Sequence, residues 1–342
     1  MLNFKKKTKD LDFVAIGDIV IDNFIQLKEA EVYKDEKTGR EKICMNFADK
    51  IPYQEAVEVP AVGNSPNASV SAARLGLKSA LITNIGDDKN GQTCLESLKE
   101  DGVITDYVDI HEGEKTNYHY VLRFEADRTI LVKHAEFDYK FPDIGSPKWI
   151  YLSSLAENSL PYHKEIIKYL EEHPDIKLAF QPGTFQMNLG YEKLKEIYQK
   201  SELFFCNKEE AKRILKPLRD DAQDAEINDL LKMMRELGPK ITIITDGPNG
   251  AYVYDGENIL HTPMYPDPEA PVDRTGAGDS FSSTFTSALA LGKTMEEALM
   301  WAPINSMSVV QYVGAQKGLL SRKKLEEYLK DAPKEYLPKK II

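Results

Sequence analysis

The sequence is poor in cysteine and has no long hydrophobic run. Its three cysteines, Cys44, Cys94 and Cys206, are widely spaced and form no Cys-x-x-Cys pair. An odd number at this spacing predicts free thiols in a reducing compartment and excludes a disulfide framework. No segment approaches the ~18 consecutive apolar residues of a membrane span, and the charged residues 1–10 do not resemble a signal peptide. We therefore expect a cytoplasmic protein.

Basic residues are fewer than acidic ones. Lys and Arg total 44 against 55 Asp and Glu, which gives a formal net charge of -11 at pH 7. Nucleic acids and anionic membranes would be repelled at long range, so neither is expected as a partner. The 342 residues, 42% of them hydrophobic, are enough to bury a substantial core.

Two phosphate-binding motifs are also absent. No G-x-x-x-x-G-K-[ST] loop occurs, which excludes the P-loop route to phosphoryl transfer. The glycine after the first predicted strand, Gly17, is followed by Asp18 and bulky apolar residues, so the G-x-G-x-x-G dinucleotide fingerprint is missing as well.

Apolar runs alternate with amphipathic stretches along most of the chain, which predicts βαβ units around a largely parallel sheet. The predicted strands are 11–17, 80–85, 149–152, 177–180, 203–206, 241–245 and 251–254. The predicted helices are 67–75, 94–100, 163–171, 191–199, 208–215 and 224–237. This pattern indicates a Rossmann-like, three-layer α/β sandwich, which we expect to be one domain over residues 1–342.

Two segments, at about 24–59 and 117–134, break the alternation. In the second, polar and apolar residues alternate from Tyr118 to Phe124, and a turn at 125–127 leads into a further strand. The first segment has a turn at 37–40. Both predict hairpins, which either cover a ligand site or lie at the periphery without a role in it.

Residues 273–279, Asp-Arg-Thr-Gly-Ala-Gly-Asp, precede a helix rich in small residues. Free amides at Gly276, Ala277 and Gly278 would lie in the first turn of that helix, where its dipole favours an anion. Asp279 would stand beside them, placed to take a proton from an attacking hydroxyl. This pattern predicts a phosphotransfer site; the alternative is an ordinary Gly-rich loop with a capping Asp.

Residues 273–279 resemble the D-T-x-G-A-G-D signature of the ribokinase-like (PfkB-type) kinases. Arg274 replaces the usual Thr, and it either clamps phosphates or faces solvent. The resemblance implies Asp279 as catalytic base, a monovalent cation such as K⁺ near Asp273, and a small β lid formed by the two hairpin segments. The exposed edges of that lid permit a homodimer.

A second match lies at residues 61–76, which resemble the family's N-terminal signature. Gly63, Asn64 and Asn67 are the substrate contacts that it implies. Asp22, beyond the first strand, matches the acid that holds sugar hydroxyls, with a solvated loop acid as the alternative. Val62 replaces a glycine and Asn64 a lysine of ribokinases, which argues against a simple assignment to ribose.

The nucleotide side of the predicted site has weaker signals. Asn207 and Glu210 match the family's N-x-x-E, which implies ATP phosphate contact and water-bound Mg²⁺, although the same pattern also caps helices. Thr245, Gly247 and Gly250 match its nucleotide turn, with a plain tight turn as the alternative. Residues 301–318 resemble the helix and turn at the adenine side, and the adenine contacts stay open.

Together these segments predict an ATP-dependent carbohydrate kinase that phosphorylates a hydroxymethyl group of a small sugar. A nucleoside kinase is an alternative, because Tyr118, Tyr120 and Phe124 of the lid could stack a base; these aromatics could equally form the lid's own packed face. A sugar- or nucleotide-binding regulator without activity is a further alternative, against which the intact Asp279 argues.

Overall fold

The structure is a computed structural model that describes residues 10–37, 39–125 and 127–341. Thr38 and Ala126, at the two predicted hairpin turns, lie outside these ranges. The strands are Phe13–Ile16 (β1), Val20–Leu27 (β2), Glu31–Lys34 (β3), Glu41–Cys44 (β4), Tyr53–Val62 (β5), Ser79–Gly86 (β6), Val108–His111 (β7), Tyr118–Phe124 (β8), Asp127–Leu131 (β9), Trp149–Leu152 (β10), Lys177–Phe180 (β11), Ser201–Asn207 (β12), Ile241–Thr245 (β13), Ala251–Tyr254 (β14), Ile259–Thr262 (β15) and Lys339–Lys340 (β16). The helices are Asn64–Arg74 (α1), Lys89–Glu100 (α2), Leu160–Glu172 (α3), Thr184–Leu189 (α4), Tyr191–Lys200 (α5), Lys208–Leu215 (α6), Ile227–Glu236 (α7), Ala277–Ala290 (α8), Met295–Val309 (α9) and Arg322–Lys330 (α10).

A ten-stranded sheet forms the centre of the fold, in the order β16-β15-β14-β13-β12-β11-β10-β1-β6-β7. Along the sheet, strands β7, β6, β1, β10, β11, β12 and β13 are parallel to one another. Beyond β13, strands β14, β15 and β16 add antiparallel pairs at one edge. Strand β1 lies between β6 and β10, so the chain order reverses beside it. Such a switch point opens a crevice at the carboxyl ends of the strands, where α/β proteins bind ligands.

Alternation along β1 explains the three layers. Phe13 and Ala15 belong to one hydrophobic core, whereas Val14 and Ile16 belong to a second. Successive side chains of a strand point to opposite faces, so the sheet is covered by helices on both sides. The predicted α/β class with a mostly parallel sheet is confirmed.

A smaller four-stranded sheet, in the order β5-β2-β8-β9, forms the predicted lid from both hairpin segments. Strand β2 begins at Val20, earlier than expected, and pairs in parallel with β8. The remaining strands of the first segment, β3 and β4, pair as a separate hairpin.

Helix ends account for most differences from the sequence-based boundaries. The helix expected at 94–100 begins at Lys89, because the side chain of Asp88 caps it by accepting a hydrogen bond from the Gly91 amide. The half-exposed strand β7 was not predicted, since its sequence, Val-Asp-Ile-His, is too short and polar to stand out. No helix within the described ranges is long and apolar enough to cross a membrane.

Candidate active site

The loop before α8 carries backbone amides that have no acceptor in the described chain. Gly276 adopts left-handed angles, φ 82° and ψ 0°, as the N-cap of α8. A Cβ atom on Gly276 would lie 2.4 Å from the Cβ of Ala315, so a side chain does not fit there. The amides of Gly276 and Gly278 meet no acceptor within the described residues, and that of Ala277 makes one long bond, 3.4 Å, to the Arg274 carbonyl. Free amides at a helix N-terminus are suited to bind an anion.

Asp279 lies in the first turn of α8, only 9% exposed, and its carboxylate is held by three side-chain amides. Oδ1 accepts hydrogen bonds from Nδ2 of Asn64 at 2.7 Å and from Nε2 of Gln181 at 3.1 Å. Oδ2 accepts one from Nδ2 of Asn67 at 2.8 Å. A carboxylate accepts about four hydrogen bonds, so one position stays available to a further donor.

Gln181 is the site residue that sequence reasoning missed. It follows β11 at the carboxyl end of the parallel sheet, and that position is the signal by which it could have been found. Its Oε1 accepts hydrogen bonds from the hydroxyls of Tyr151 and Ser282, which turns its NH₂ group toward Asp279. Burial, together with the charge of Asp279, raises the pKa of Tyr151 well above its usual value, so this hydroxyl keeps its proton and donates.

The orientation of the Asn67 side-chain amide is also fixed by a hydrogen bond. Its Oδ1 accepts a hydrogen bond from Nε2 of Gln316 at 3.0 Å, and the same amide donates to the Ala61 carbonyl at 2.7 Å. Because the amide oxygen of Asn67 is occupied in this way, its NH₂ group is left to Asp279. Gln316 lies in the segment 301–318, to which the sequence assigned only the adenine side.

Asp273 fastens two loops together. Its Oδ1 accepts from the amide and the hydroxyl of Thr275 at 2.9 and 2.7 Å, and its Oδ2 accepts from the Gly314 amide at 3.0 Å. The guanidinium of Arg128, on the lid, lies 3.9 Å from Oδ1, and Arg123 donates to the Val272 carbonyl at 3.3 Å. These donors do not fit a monovalent cation bound directly by this carboxylate.

We call residues 273–278, with the free amides before α8, the anion loop. A largely apolar cavity of about 290 Å³ opens beside it. Thr245, Gly247 and Gly250 line one wall of it, as a nucleotide turn would. Its other lining residues include Met264, Tyr265, Arg274, Ala277, Gly278, Phe281, Pro303, Met307 and Val310. Arg274 thus faces the cavity, and the apolar side chains supply a surface suited to a planar base. Asn207 is not among the lining residues.

Glu210 and Asn207 form a reciprocal cap at the start of α6. The Asn207 amide donates to Oε2 of Glu210, and Oδ1 of Asn207 accepts from the Glu210 amide, each at 2.8 Å. Burial raises the pKa of Glu210, the nearby charge of Asp279 raises it further, and the hydrogen bond from Asn207 opposes the rise. A partly buried carboxylate whose pKa responds to the charge of Asp279 fits a Mg²⁺ ion held through water. Among the described residues no group of three or more His, Cys, Asp or Glu side chains is arranged to hold a metal ion.

Asp22 and the lid aromatics lie on opposite faces of the lid. Asp22 pairs in register with His119, and Nδ1 of His119 lies 3.3 Å from Oδ1 of Asp22. Tyr118 and Tyr120 occupy the alternate positions of β8 and therefore point to the other face, where the Tyr118 hydroxyl donates to Glu58 at 2.7 Å. The face with Asp22 is the inner one, since Arg123, also on it, reaches Val272. Tyr118 and Tyr120 therefore face away from the site, which argues against the alternative in which they stack a base over it.

Comparisons with known proteins show the family and the fold of the chain. The model of the pfkB family carbohydrate kinases matches residues 34–322. The ribokinase of Bacillus subtilis (strain 168) is 30% identical over 275 residues, which cover 78% of this chain and 87% of the relative. The structure of Arabidopsis thaliana ribokinase complexed with ribose and ATP superposes with a TM-score of 0.75 at 20% identity, covering 94% and 99% of the two chains. The nucleoside kinase of Methanocaldococcus jannaschii gives 0.73 at 20% identity, with the same coverage.

Proposed function

Because this chain belongs to the pfkB family of carbohydrate kinases and is therefore a kinase, we propose that it transfers the γ-phosphoryl group of ATP to a hydroxymethyl group of a small sugar, with Asp279 as general base. The observation that carries the proposal is the placement of Asp279. Its carboxylate contacts Asn64 and Asn67, and it follows directly after the unpaired amide of Gly278. A proton acceptor and an anion site thus adjoin within one helix turn.

Asp279 accepts the proton of the attacking hydroxyl at the position that its three amide partners leave free. Asn64, Asn67 and Gln181 fix the direction of its two oxygens, so that the hydroxyl oxygen is presented to the anion loop. The amides of Gly276 to Gly278, with Arg274 at the mouth of the cavity, stabilise the charge on the transferred group. The transfer is direct and in line, and no phosphoenzyme is formed.

Mg²⁺ is part of the proposal, with Glu210 holding it through water. When bound, it would neutralise the negative charge of the ATP phosphates. This role is supported by the influence of the Asp279 charge on the pKa of Glu210, which indicates that the two carboxylates interact. Since the partners of Asp273 do not fit a cation bound at that side chain, K⁺ has no part in the proposed transfer.

In the proposed reaction, the lid covers the side of the site that binds the sugar. Enclosure by the lid would exclude water, which protects ATP from wasteful hydrolysis and strengthens the electrostatic interactions inside. A nucleoside as acceptor is supported by the fold shared with the Methanocaldococcus jannaschii nucleoside kinase. Against base stacking by the lid, Tyr118 and Tyr120 face away from the site.

We also propose a homodimer that forms through the lid. Strand β9 is an edge strand with all five residues exposed, and Ile130 and Leu131 are exposed apolar side chains on it. An unpaired apolar edge invites pairing with a second copy. Light scattering should give twice the chain mass of 38.7 kDa, and Ile130→Lys with Leu131→Lys should return the monomer. A monomeric wild type at micromolar concentration would contradict the dimer.

The function is tested by ADP formation with MgATP and a panel of pentoses, hexoses and nucleosides. The proposal expects turnover that requires a sugar and yields the sugar monophosphate, identified by mass spectrometry. Turnover confined to nucleosides would instead establish the alternative acceptor. Tight ATP binding with no turnover on any member of the panel would show a binding protein without kinase activity.

A further inference from the structure

Two carboxylates and two imidazoles meet beneath the inner face of the lid. Nδ1 of His119 lies 3.3 Å from Oδ1 of Asp22, and Nδ1 of His134 lies 3.6 Å from Oδ2 of Asp18. The two imidazole rings are 5.0 Å apart between centroids. We call these four residues the histidine cluster. Its side chains are between 5% and 15% exposed.

The histidine cluster contains buried polar atoms without hydrogen-bond partners. Within the described chain, Oδ2 of Asp18, Oδ1 of Asp22, Nε2 of His119 and Nδ1 of His134 have none. Buried polar atoms are almost always paired, and leaving one unpaired costs about 1–3 kcal/mol. Two of these atoms, Oδ2 of Asp18 and Nδ1 of His134, face each other at 3.6 Å, too far apart for a hydrogen bond, and Oδ1 of Asp22 forms none with Nδ1 of His119 at 3.3 Å. The cluster therefore keeps unused donors and acceptors that a bound ligand can pair with.

Asp18 is held so that one oxygen stays available. Its Oδ1 accepts a hydrogen bond from the Tyr139 hydroxyl at 2.7 Å, and that hydroxyl accepts one from the Ala156 amide at 3.2 Å. Burial, reinforced by the charge of Asp18, raises the pKa of Tyr139 far above its usual value, so Tyr139 remains a donor. Oδ1 of Asp18 thus has a fixed donor, whereas Oδ2 has no hydrogen bond and only the 3.6 Å contact with Nδ1 of His134.

The histidine cluster adjoins the catalytic carboxylate by two routes. The Asp18 carbonyl packs against Gly63, where a Cβ atom would lie 2.6 Å from it, and the next residue, Asn64, donates to Asp279. On the other side, the ring of His134 lies 5.6 Å from that of Phe185, on the helix that follows Gln181. An acceptor whose hydroxymethyl group reaches Asp279 would therefore place its other end at the cluster.

We propose that Asp18, His119 and His134 join Asp22 as acceptor-binding residues, and that they select a neutral acceptor with vicinal hydroxyls over one that already carries a phosphate. This inference rests on the proposed kinase function of the same site. The unpaired carboxylate oxygens require donors, and the imidazole nitrogens donate or accept according to tautomer. A diol offers both kinds of partner. A phosphate dianion offers no hydrogen and would face the two carboxylates, which repel it.

The substitutions His119→Asn, His134→Asn and Asp18→Asn test the cluster, with His173→Asn as the matched control. His173 stacks on Tyr169 at the end of α3 and bonds the Tyr169 carbonyl, away from the site. Each cluster variant should raise the KM for D-ribose or D-fructose about 10-fold or more, the loss expected for a hydrogen bond to a charged group, while the KM for ATP stays within about twofold. Equal KM values in the cluster variants and His173→Asn would overturn the proposal.

A wild-type measurement does not depend on the folding of any variant. The ratio of kcat/KM for D-fructose to that for fructose 6-phosphate should exceed about 100, since two unpaired carboxylate contacts would be lost with the phosphorylated sugar. A preference for fructose 6-phosphate would overturn the inference even if the protein is a kinase.

Calorimetry separates the inference about the histidine cluster from the proposed kinase function. If no acceptor is phosphorylated but D-ribose or adenosine binds, and His119→Asn weakens that binding about 10-fold, the histidine cluster stands and the kinase assignment falls. If turnover is robust and the cluster variants bind and react as wild type does, the kinase stands and the cluster falls. Absence of both binding and turnover for every probe removes the cluster as well.

Discussion

The side-chain amide of Asn67 donates a hydrogen bond to Oδ2 of Asp279 at 2.8 Å, although the two residues are 212 positions apart in the chain. Helix α1, which carries Asn67, and helix α8, which carries Asp279, pack side by side on one face of the central sheet. The two family-like segments, at opposite ends of the sequence, thus meet at one carboxylate. The hydrogen bond joins the predicted acceptor side of the site to its predicted base.

Replacing Asn67 with Ala should lower kcat/KM for the acceptor by about 10- to 150-fold, because a hydrogen bond to a charged group contributes about 1.5–3 kcal/mol. The KM for ATP should not change, since Asn67 does not line the apolar cavity beside the anion loop, where we expect the nucleotide to bind. Steady-state kinetics with each substrate varied in turn make the measurement. Ser69→Ala, elsewhere on the same helix, is the control, and an equal loss in it would point to a general disturbance of α1.

Gly276 and Gly292 offer a matched pair, since both have φ of 82° but only Gly276 is crowded. A Cβ at Gly292 meets nothing within 4 Å. Gly292→Ala should therefore cost only the backbone strain, about 1–2 kcal/mol of unfolding free energy. Gly276→Ala should lose more stability and also its turnover, because Ala315 must move and the anion loop with it. Denaturant titration and kcat report the two effects, and equal behaviour of both variants would refute the crowding.

Mg²⁺ affinity should depend on pH through Glu210. Its pKa is raised by burial, so its carboxyl keeps its proton to higher pH than a free glutamate does. Only the ionised carboxylate attracts the cation and accepts hydrogen bonds from its bound water, so the apparent Mg²⁺ affinity should rise with pH and level off above the raised pKa. Glu210→Gln should weaken Mg²⁺ activation and remove this dependence. Glu209→Gln, one residue away and exposed, should keep it, and the same profile in both variants would exclude Glu210.

Arg274 and Gly278 both line the apolar cavity beside the anion loop. If it clamps phosphates, Arg274→Ala should lower kcat by about 10-fold or more, as the loss of a charge-assisted bond does. Arg274→Lys should recover part of the rate, because it restores the charge without the bidentate geometry. Wild-type rates in Arg274→Ala would mean that the side chain does not contact the phosphates and only faces solvent.

The fold was predictable from the sequence because buried parallel strands such as Trp149–Leu152 are short apolar runs, and their periodicity differs plainly from that of the helices between them. Helix starts such as Lys89 depend on one capping side chain, and the weakly amphipathic first turn of α2 gives little sign of it.

Within the candidate site, the residues that the sequence predicted are those with a family signature. Gln181, His119 and His134 belong to no short pattern, and only strand pairing and burial bring them to the candidate site. The sequence left open which face of the lid the tyrosines occupy, because that face depends on the pairing of β8 with β2, which periodicity alone does not fix.

The central claim is that Asp279 is the catalytic base, and the most direct test is the kcat of Asp279→Asn. The amide has nearly the shape of the carboxylate but cannot accept the proton of the attacking hydroxyl. We predict a normal thermal melt, an ATP affinity within about threefold of wild type and a kcat lower by about 10³ or more. Asp221→Asn, an exposed surface residue beside Arg219, should behave as wild type. Near-normal turnover in Asp279→Asn would contradict the account.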